Sequence, residues 1–242
     1  VIGLSNHARV TRSGLRWDLD LNEGIDFAIF LLGMFERETV QVYRRLVQPG
    51  DFVLDIGANI GAHTLHLARC VGPQGLVVAF EPTSFAFQKL VKNINDNPDL
   101  ASRVRAEQVM LVAKPGEPSV GVLYSSWPLL EQAGLHSTHC GELKSTNGAS
   151  ARTLDEYLEH TGIEKISFIK MDVDGHECNV LRGAVNTLTQ HKPTIIMEIM
   201  PYGLEEAGHS LEELLTILLS MNYIIYNLSN DEVLPKDPHA MR

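Results

Sequence analysis

Cysteine, basic residues and long hydrophobic runs are all scarce in this sequence, and each shortage argues against a class of protein. Three cysteines in 242 residues are too few for a disulfide framework. Since no run of about 18 apolar residues and no charged-then-apolar leader occurs, we expect neither a transmembrane segment nor a secretory signal. Lys and Arg total 20 against 30 Asp and Glu, and a net charge of −10 disfavours a broad nucleic-acid surface. We expect a cytoplasmic protein with a small-molecule partner and no nucleic acid.

The rest of the composition is that of an ordinary globular chain, with 44% hydrophobic and 21% charged residues. Residues 9–21 alternate apolar and polar side chains around Ser13-Gly14, which predicts a small β-hairpin. Residues 25–47 carry apolar side chains at helical spacings, and Gly33 divides them into two predicted helices. We therefore predict an N-terminal hairpin and helical cap over residues 1–48.

From residue 49 to residue 242, short apolar runs alternate with amphipathic stretches, which predicts a parallel sheet with helices on both faces. The runs that predict strands are FVLDIG, VVAFEP, VRAEQVML, ISFIKMD, TIIMEI and YIIYNL. The predicted helix starts are Ser84 for 85–96, Asp174 with Glu177 for 175–190, and Ser210 with Glu213 for the helix after them. Over residues 114–150 the pattern fails, and we predict an acceptor or lid loop with one or two short strands.

A buried strand leads into a glycine turn and then a helix in the segment DFVLDIGANIGAHT, residues 51–64. The segment departs from the dinucleotide fingerprint G-x-G-x-x-G, because Asn59 stands where the second glycine should be. Asp55 precedes Gly57 by two residues, where its carboxylate would suit an ammonium or sulfonium group and would repel a pyrophosphate. These features favour a cationic cofactor over a nicotinamide dinucleotide.

The second predicted strand also ends in an acidic residue, Glu81, about twenty residues after Gly61. A carboxylate at this place can accept hydrogen bonds from both hydroxyls of an adenosine ribose. Two acidic strand tips around a glycine turn therefore predict a pocket for S-adenosylmethionine. The alternative is that Asp55 and Glu81 only cap the helices that follow them.

The sequence resembles the FkbM-type family of class I methyltransferases over residues 33 to about 200. The motifs that carry the resemblance are GMFERE (33–38), PGDFVLDIGANIGAHT (49–64), VVAFEP (77–82), RTLDEYL (152–158), FIKMDVDGHECNVLRGA (168–184) and IIMEI (195–199). The resemblance implies an α/β, Rossmann-like fold with a mostly parallel seven-stranded sheet of order 3-2-1-4-5-7-6. It also implies S-adenosylmethionine as methyl donor and an oxygen acceptor on a small molecule, lipid or sugar.

The resemblance places the methionine part of the cofactor near the glycine turn and the ribose on Glu81. Met110 begins an apolar step after the third strand, so we expect stacking and backbone contacts to hold the adenine. Glu36 either folds back over the methionine end or lies on the helix surface. The complete predicted cofactor site comprises Glu36, Asp55, Gly57, Ala58, Asn59, Gly61, His63, Thr64, Glu81, Pro82, Met110 and Asp172.

The predicted catalytic residues are Asp172, His176 and Glu198, which follow two apolar runs. Ligands of open α/β sheets bind outside the carboxyl ends of the strands, so Asp172 should face the same crevice as Asp55. An alcohol acceptor must lose its proton, and either His176 or Asp172 could take it. The alternatives are a solvent-facing His176 with no catalytic task and a Glu198 that only pairs with a lysine or caps a turn. For Lys170, inside the run ISFIKM, we favour a side chain that extends out of the sheet over one that reaches a carboxylate.

Two residue groups invite a metal interpretation, and we favour it for neither. His136, His139 and Cys140 lie in the sequence HSTHC, but the spacing fits no common structural zinc site. Asp172, Asp174 and Glu198 could instead hold Mg²⁺, as carboxylate clusters do in metal-dependent O-methyltransferases. We expect no resident metal at either place.

Together these features predict a bacterial S-adenosylmethionine-dependent O-methyltransferase. The expected acceptor is a hydroxyl group on a sugar, a glycolipid or another lipid-linked molecule, or a polyketide-like molecule. Two other hypotheses stay open, a nicotinamide-dependent oxidoreductase and a catalytically silent module that binds S-adenosylmethionine. A homodimer is also open, because the sequence does not decide the oligomeric state.

Overall fold

The computed structural model of the chain describes residues 6–130, 133–163, 165–230 and 232–235. It begins with an antiparallel hairpin of β1 (His7–Arg12) and β2 (Leu15–Asp20), followed by α1 (Gly24–Leu32) and α2 (Arg37–Leu46). Gly33 ends α1 in the left-handed conformation, with φ 87°. The predicted hairpin and the predicted division of the helical segment at Gly33 are both confirmed.

The core of the fold is a parallel sheet of five strands. The elements after α2 are β3 (Phe52–Ile56), α3 (Thr64–Cys70), β4 (Leu76–Phe80), α4 (Ser84–Asn95), α5 (Pro98–Ala101), β5 (Val104–Glu107), β6 (Val109–Leu111), β7 (Val122–Ser126), β8 (Glu142–Ser145), β9 (Ser150–Arg152), α6 (Leu154–Glu159), β10 (Phe168–Met171), α7 (Glu177–Arg182), α8 (Val185–His191), β11 (Thr194–Met197), α9 (Pro201–Glu206) and α10 (Leu211–Ser220). The sheet has the order β11-β10-β3-β4-β5, and all neighbouring strands are parallel.

The predicted parallel sheet is confirmed, and its strand count differs from the expectation. Counted along the chain, the five strands lie in the order 3-2-1-4-5, which is the first part of the order that the resemblance implied. The described residues add no sixth or seventh strand to it. The run YIIYNL, predicted as a strand, contributes only an isolated bridge between Tyr226 and Val233. The run VRAEQVML divides at Gln108 into β5 and β6, and only β5 joins the sheet.

Residues 114–150 contain an antiparallel hairpin of β7 and β8, in agreement with the expectation of one or two short strands. After it, β9 pairs in parallel with β6. The hairpin is fastened to the sheet at Ser125, whose carbonyl accepts from Asn59 Nδ2 at 3.3 Å. The Ser125 hydroxyl also lies 2.7 Å from the Thr83 hydroxyl. The hairpin therefore forms a wall beside the carboxyl ends of the strands.

Two predicted helix starts need correction. The side chain that caps α4 belongs to Thr83, one residue before the predicted Ser84, and it accepts from the Ala86 N–H. Residues 175–190 form two helices, α7 and α8, and Asp174 does not cap either of them. At the third start, Ser210 caps α10 by accepting from the Glu213 N–H, as predicted. No helix in the described ranges is both long and apolar enough to span a bilayer.

Two hydrophobic clusters cover the two faces of the sheet, because successive strand residues alternate between them. Val53 belongs to the first cluster and Leu54 to the second. Trp17 of β2 and Tyr43 of α2 are fully buried in the first cluster. The N-terminal elements thus pack directly on one face of the sheet.

Candidate functional site

A cavity of about 570 Å³ lies at the carboxyl ends of β3, β4 and β10, next to the β7–β8 hairpin. Its volume falls within the range of small-molecule sites. The predicted site residues that line it are Glu36, Gly57, Asn59, Glu81, Pro82, Met110, Asp172, His176 and Glu198. Those that lie outside its lining are Asp55, Ala58, Gly61, His63 and Thr64. The structure therefore brings the three predicted catalytic residues and the ribose-binding candidate into one cavity.

The turn after β3 is built around two residues with positive φ. Gly57 has φ 79°, and a Cβ atom there would lie 1.7 Å from the Asp172 carbonyl oxygen, so only glycine fits. Asn59 has φ 47°, a conformation that asparagine tolerates better than most residues. The N–H groups of Gly57 and Ala58 both donate to the Phe80 carbonyl, at 3.0 and 2.9 Å. The turn is thus clamped between the ends of β4 and β10.

Asp55 lies beneath this turn and has no exposed surface. One carboxylate oxygen accepts from the Thr64 hydroxyl at 2.5 Å. The other oxygen has no hydrogen-bond partner among the described residues. Asp55 therefore braces the start of α3 from behind the cavity, rather than facing into it as the sequence suggested.

Glu81 lines the cavity at the end of β4, and its carboxylate is already oriented by the protein. One oxygen accepts from the N–H and the hydroxyl of Thr83, at 2.9 and 2.6 Å. The other accepts from the Asn59 N–H at 3.0 Å and keeps a free lone pair. Burial raises the pKa of Glu81, although these hydrogen bonds act in the opposite direction. Glu81 thus presents a fixed acceptor to the cavity.

The buried Lys170 forms an ion pair with the half-buried Asp172 at the end of β10. Lys170 Nζ lies 3.1 Å from Asp172 Oδ2 and 3.4 Å from the Gly57 carbonyl oxygen. The favoured expectation that Lys170 extends out of the sheet was wrong, because its side chain is only 5% exposed. Burial would lower the pKa of Lys170, but Asp172 and Asp55 outweigh it and hold the pKa above its usual value. The ammonium in turn holds the pKa of Asp172 low against the effect of burial.

Glu198 and Asp174 bring further carboxyl groups to the same cavity. Burial and the neighbouring Asp172 carboxylate raise the pKa of Glu198 to about 7. Burial, Asp172 and Glu198 raise the pKa of Asp174 to about 8. At neutral pH this group therefore combines a charged Asp172 with carboxyl groups that retain protons for part of the time.

His176 lines the cavity at the residue before α7. Burial and the nearby His209 lower its pKa, so the ring is neutral at pH 7 and can accept a proton. Its Nδ1 lies 3.5 Å from Asn179 Nδ2, one helical turn further along the chain. His176 is thus half-buried and lines the cavity.

The N-terminal elements contribute Glu36, which lines the cavity near the glycine turn. Glu36 Oε2 lies 3.2 Å from Nε2 of the buried His63, at ion-pair distance. His63 is held in place by the rings of Phe35 and Tyr43. The imidazole of His63 lowers the pKa of Glu36 in spite of burial. Of the two sequence alternatives for Glu36, the structure supports the position over the cofactor cleft.

The sequence reasoning missed two aromatic residues of the cavity wall, Tyr124 and Tyr202, and favoured a role in the substrate loop for His139. Tyr124 and His139 come from the hairpin segment and Tyr202 from α9, and all three line the cavity. The His139 ring lies edge-on to Tyr124, with a centroid distance of 4.6 Å, and stacks on Tyr202 at 6.1 Å. The available signal was the short run VLY at residues 122–124, which contains residue types that favour a strand.

Within the described ranges, potential metal ligands converge in two places, His136 with His139 and Glu206, and Cys178 with His209 and Glu213. Asp172, Asp174 and Glu198 do not form such a group, and neither does Cys140. His136 Nδ1 accepts from backbone N–H groups at 3.2 and 3.4 Å, and His139 Nδ1 accepts from the Gly141 N–H at 3.0 Å. A histidine that binds metal through Nε2 carries its hydrogen on Nδ1. These backbone contacts therefore disfavour metal binding by the two rings.

The sequence profile of the methyltransferase FkbM domain matches residues 55–225. The hexuronic acid methyltransferase AglP of Haloferax volcanii is 29% identical over 68% of this chain and 62% of its own length. Methyltransferase 1 of Beauveria bassiana is 28% identical over 56% and 59%, so this chain spans about three fifths of these two relatives.

The 2-O-methyltransferase NoeI of Sinorhizobium fredii is 26% identical over 77% of this chain and 80% of its own. Among solved structures, an O-methyltransferase from Thermotoga maritima aligns with 96% of this chain and 71% of its own. That alignment has 14% identity and a TM-score of 0.45, which is too low to establish a common fold. The match of the profile over most of the chain does decide the family: the protein belongs to the FkbM methyltransferases.

Proposed function

We propose that this protein transfers the methyl group of S-adenosylmethionine to a hydroxyl group of a sugar or sugar-like small molecule. The observation that carries the proposal is the single cavity that joins Glu81 and the glycine turn to His176 and Asp172. The names of two relatives, a hexuronic acid methyltransferase and a 2-O-methyltransferase, support the same class of reaction.

The residues present fit the cofactor. The free lone pair of Glu81 can accept from a ribose hydroxyl. Phe80, Val109 and Met110 give the neighbouring wall an apolar surface that suits an adenine ring. Glu36 and Asp172 place carboxylates where an amino group and a positive sulfur could be stabilised. S-adenosylmethionine, when bound, supplies an electrophilic methyl group.

The cavity wall that carries Tyr124, His139 and Tyr202 suits a neutral sugar. The aromatic rings of Tyr124, His139 and Tyr202 offer flat apolar surfaces for the C–H face of a sugar ring. The cavity lining contains six carboxyl groups and, in the part of the chain that the structure describes, neither Lys nor Arg. Such a wall disfavours an anionic acceptor. A neutral or amino sugar should therefore be a better acceptor than a hexuronate.

The proposed chemistry is deprotonation of the acceptor hydroxyl during methyl transfer. The neutral ring of His176 takes the proton, and the ionised Asp172 orients the hydroxyl groups around it. The aromatic wall would orient the acceptor ring, since in-line transfer needs an acceptor oxygen about 3–3.5 Å from the methyl carbon. The lining by Tyr124 and His139 supports the acceptor role that we propose for this wall of the cavity.

Calorimetry with S-adenosylhomocysteine tests the cofactor assignment. Glu81→Gln should weaken binding about 10-fold or more, because it replaces one of the two accepting oxygens by an NH₂ group that cannot accept from the protein or from a ribose hydroxyl. Glu159→Gln, the same change at an exposed site, should not affect binding. Equal affinity in both variants would remove the assigned ribose site. Binding of NADH in place of S-adenosylhomocysteine would select the oxidoreductase hypothesis.

Transfer of a radiolabelled methyl group tests the reaction. The acceptor panel comprises methyl glucoside, glucosamine and methyl glucuronide. We expect faster methyl transfer to the first two than to methyl glucuronide. His176→Ala should lower transfer about 100-fold or more while S-adenosylhomocysteine still binds. Binding without transfer to any sugar or lipid-linked sugar would favour the catalytically silent module.

We also propose that residues 225–227 and 232–234 correspond to the sixth and seventh strands of the order that the resemblance implies. The antiparallel bridge between Tyr226 and Val233 supports this. So do the hydrogen bonds from the Asn227 N–H to the Glu232 carbonyl and from the Leu234 N–H to the Ile225 carbonyl, both of 2.8 Å.

A further inference from the structure

A chain of polar side chains runs from the cavity to the protein surface behind His176. Asn179 Nδ2 lies 3.5 Å from His176 Nδ1, and Asn179 Oδ1 lies 3.1 Å from His209 Nε2. His209 Nδ1 lies 3.2 Å from Glu213 Oε2, and Arg182 forms an ion pair with the other oxygen of Glu213. The chain thus leads from α7 through His209, which lies two residues before α10, to Glu213 in the first turn of α10, and it ends in a charged pair with Arg182.

The hydrogens along this chain can be assigned by starting at its charged end. The carboxylate of Glu213 can only accept, so His209 must carry a hydrogen on Nδ1. Burial and Arg182 lower the pKa of His209, so its ring holds a single hydrogen at pH 8. His209 Nε2 is then an acceptor and requires a donor from the Asn179 amide.

This requirement sets the amide of Asn179 with its NH₂ group towards His209 and its oxygen towards His176. The two ends of an amide exchange by a simple rotation, and the hydrogen-bond partners decide between them. The opposite orientation, with Oδ1 on His209, suits only a doubly protonated His209. With the amide oxygen beside it, His176 Nδ1 must carry the hydrogen.

We propose that Asn179, His209 and Glu213 position His176 as the base by holding its hydrogen on Nδ1. The Nε2 lone pair is then left free for the acceptor hydroxyl, since Nδ1 is committed to Asn179. The inference rests on the proposed function, because it explains how the same His176 accepts a proton. Asn179, His209 and Glu213 are positioning residues and have no place in the cavity lining.

The surroundings of the chain are consistent with this assignment. Cys178, which faces His209 and Glu213, stays a neutral thiol because burial raises its pKa to about 11. Arg182 is the cation next to Glu213 and balances its charge. Protonation of His209 would put hydrogens on both of its nitrogens, rotate the amide of Asn179 and move the His176 hydrogen to Nε2. The base form of His176 is therefore expected only where His209 is neutral.

Nuclear magnetic resonance of ¹⁵N-histidine-labelled protein tests the hydrogen position directly. The full chain is studied with S-adenosylhomocysteine at pH 8, and the His176 signal is the one of ten histidines that His176→Gln removes. We expect hydrogen on Nδ1 in the wild type and a shift towards Nε2 in Glu213→Gln. Glu212→Gln, the same change at the exposed neighbouring position, should leave the signal unchanged. A wild-type ring with hydrogen on Nε2, or equal spectra for the two glutamate variants, would overturn the proposal.

Two substitutions of Asn179 give a second measurement. Asn179→Asp keeps an acceptor beside Nδ1, so the tautomer should persist while the pKa of His176 rises by about one unit or more. Asn179→Leu should lose the tautomer preference, and calorimetry with S-adenosylhomocysteine shows whether it is folded. If the pKa of His176 is unchanged in Asn179→Asp, the proposed positioning of His176 by Asn179, His209 and Glu213, called the relay below, is contradicted.

These spectra need no acceptor, so they separate the relay from the reaction. Full methyl transfer by His176→Gln would remove the base assignment and the relay with it. The wrong tautomer together with lost transfer in His176→Gln would remove only the relay.

Discussion

Lys170 is the cation on which the buried carboxylates of the cavity depend. Its ammonium contacts Asp172, which is 24% exposed, and is attracted by Asp55, which is fully buried. Removing one partner of a buried pair leaves an uncompensated charge, which is more costly than the pair itself is worth.

Lys170→Met should therefore lower the free energy of unfolding by about 3–5 kcal/mol at pH 8. The loss should be smaller at pH 5, because the pKa of Asp172 rises without the ammonium and protonation then removes the charge. Urea unfolding at both pH values measures this. Lys165→Met, at an exposed position, serves as the control. A loss that is equal at the two pH values would contradict the electrostatic cause.

The ionisation of Asp174 should make the folded protein less stable as pH rises. Its folded pKa of about 8 exceeds the usual 3.8, so the folded state keeps a proton that the unfolded state releases. The stabilising contribution is complete below about pH 4 and is lost as pH rises to about 8. His66, with a folded pKa of about 3, acts oppositely, but its contribution is lost only below about pH 6.5.

Between pH 6.5 and 8.5 the free energy of unfolding should therefore fall in the wild type. The fall should be smaller in Asp174→Asn, which cannot ionise, and unchanged in the exposed control Asp99→Asn. Urea unfolding of the protein without cofactor gives both slopes. Parallel slopes for the wild type and Asp174→Asn would show that Asp174 is ionised throughout this range.

Single residues also show how far the sequence could predict the site. Glu81, Asp172 and His176 could be placed because each follows an apolar run, and strand ends of a parallel sheet meet at one edge. Asp55 satisfied the same rule and yet turns away, because the Thr64 hydroxyl nearby binds its carboxylate. The contacts of Lys170 with the Gly57 carbonyl and of Ser125 with Asn59 join segments far apart in the chain, so no local pattern could indicate them.

At the scale of elements, the α4 helix shows why boundaries are harder to predict than the elements themselves. Thr83 and Ser84 are both good cap residues, so composition does not choose between them. The structure chooses Thr83 because its hydroxyl can donate to Glu81 at 2.6 Å and still accept from the Ala86 N–H. The Ser84 hydroxyl donates to the Asn147 carbonyl in an exposed contact.

Thr83→Ala should lower the free energy of unfolding by about 2 kcal/mol, since both the cap and a hydrogen bond to a buried carboxylate are lost. Thr83→Ser should restore most of it, because the hydroxyl is retained. Ser84→Ala should change stability by less than about 0.5 kcal/mol. Thermal or urea unfolding of the three variants decides the matter. A larger loss for Ser84→Ala would return the cap to the predicted residue.

The strands of the sheet could be predicted because β3, β4 and β10 are buried on both faces and therefore read as continuous apolar runs. The same criterion failed at residues 223–228, where Ile224 is 62% exposed. An apolar run indicates a strand only if a neighbouring strand is available to bury it, and that depends on the tertiary structure. The division at Gln108 likewise follows from the pairing of β6 with β9.

At the scale of the whole molecule, the N-terminal hairpin and the sheet domain form one structure. The edge strand β2 offers N–H groups at alternate residues, and side chains of α4 and its C-terminal end accept from them. Asn93 Oδ1 accepts from the Asp18 N–H and Asn97 Oδ1 accepts from the Arg16 N–H, both at 2.9 Å. Both asparagines are buried, so these N–H groups of β2 are not available for pairing with a strand of another chain.

We therefore expect residues 1–48 to unfold together with the rest of the chain. The protein has two tryptophans, Trp17 in the hairpin and Trp127 after β7. In Trp127→Phe the fluorescence reports on Trp17 alone, while far-ultraviolet circular dichroism reports on all the helices and strands.

Because Trp17 is 1% exposed within the cluster shared with the sheet, the two urea transitions should have the same midpoint. Cooperative unfolding requires such a shared core, since a hairpin alone is marginally stable in water. A fluorescence midpoint clearly below the circular dichroism midpoint would instead make the N-terminal elements a separate unit that opens first. In that case Glu36 would leave the cavity with them, and S-adenosylhomocysteine, if Glu36 helps to bind it, should raise the lower midpoint.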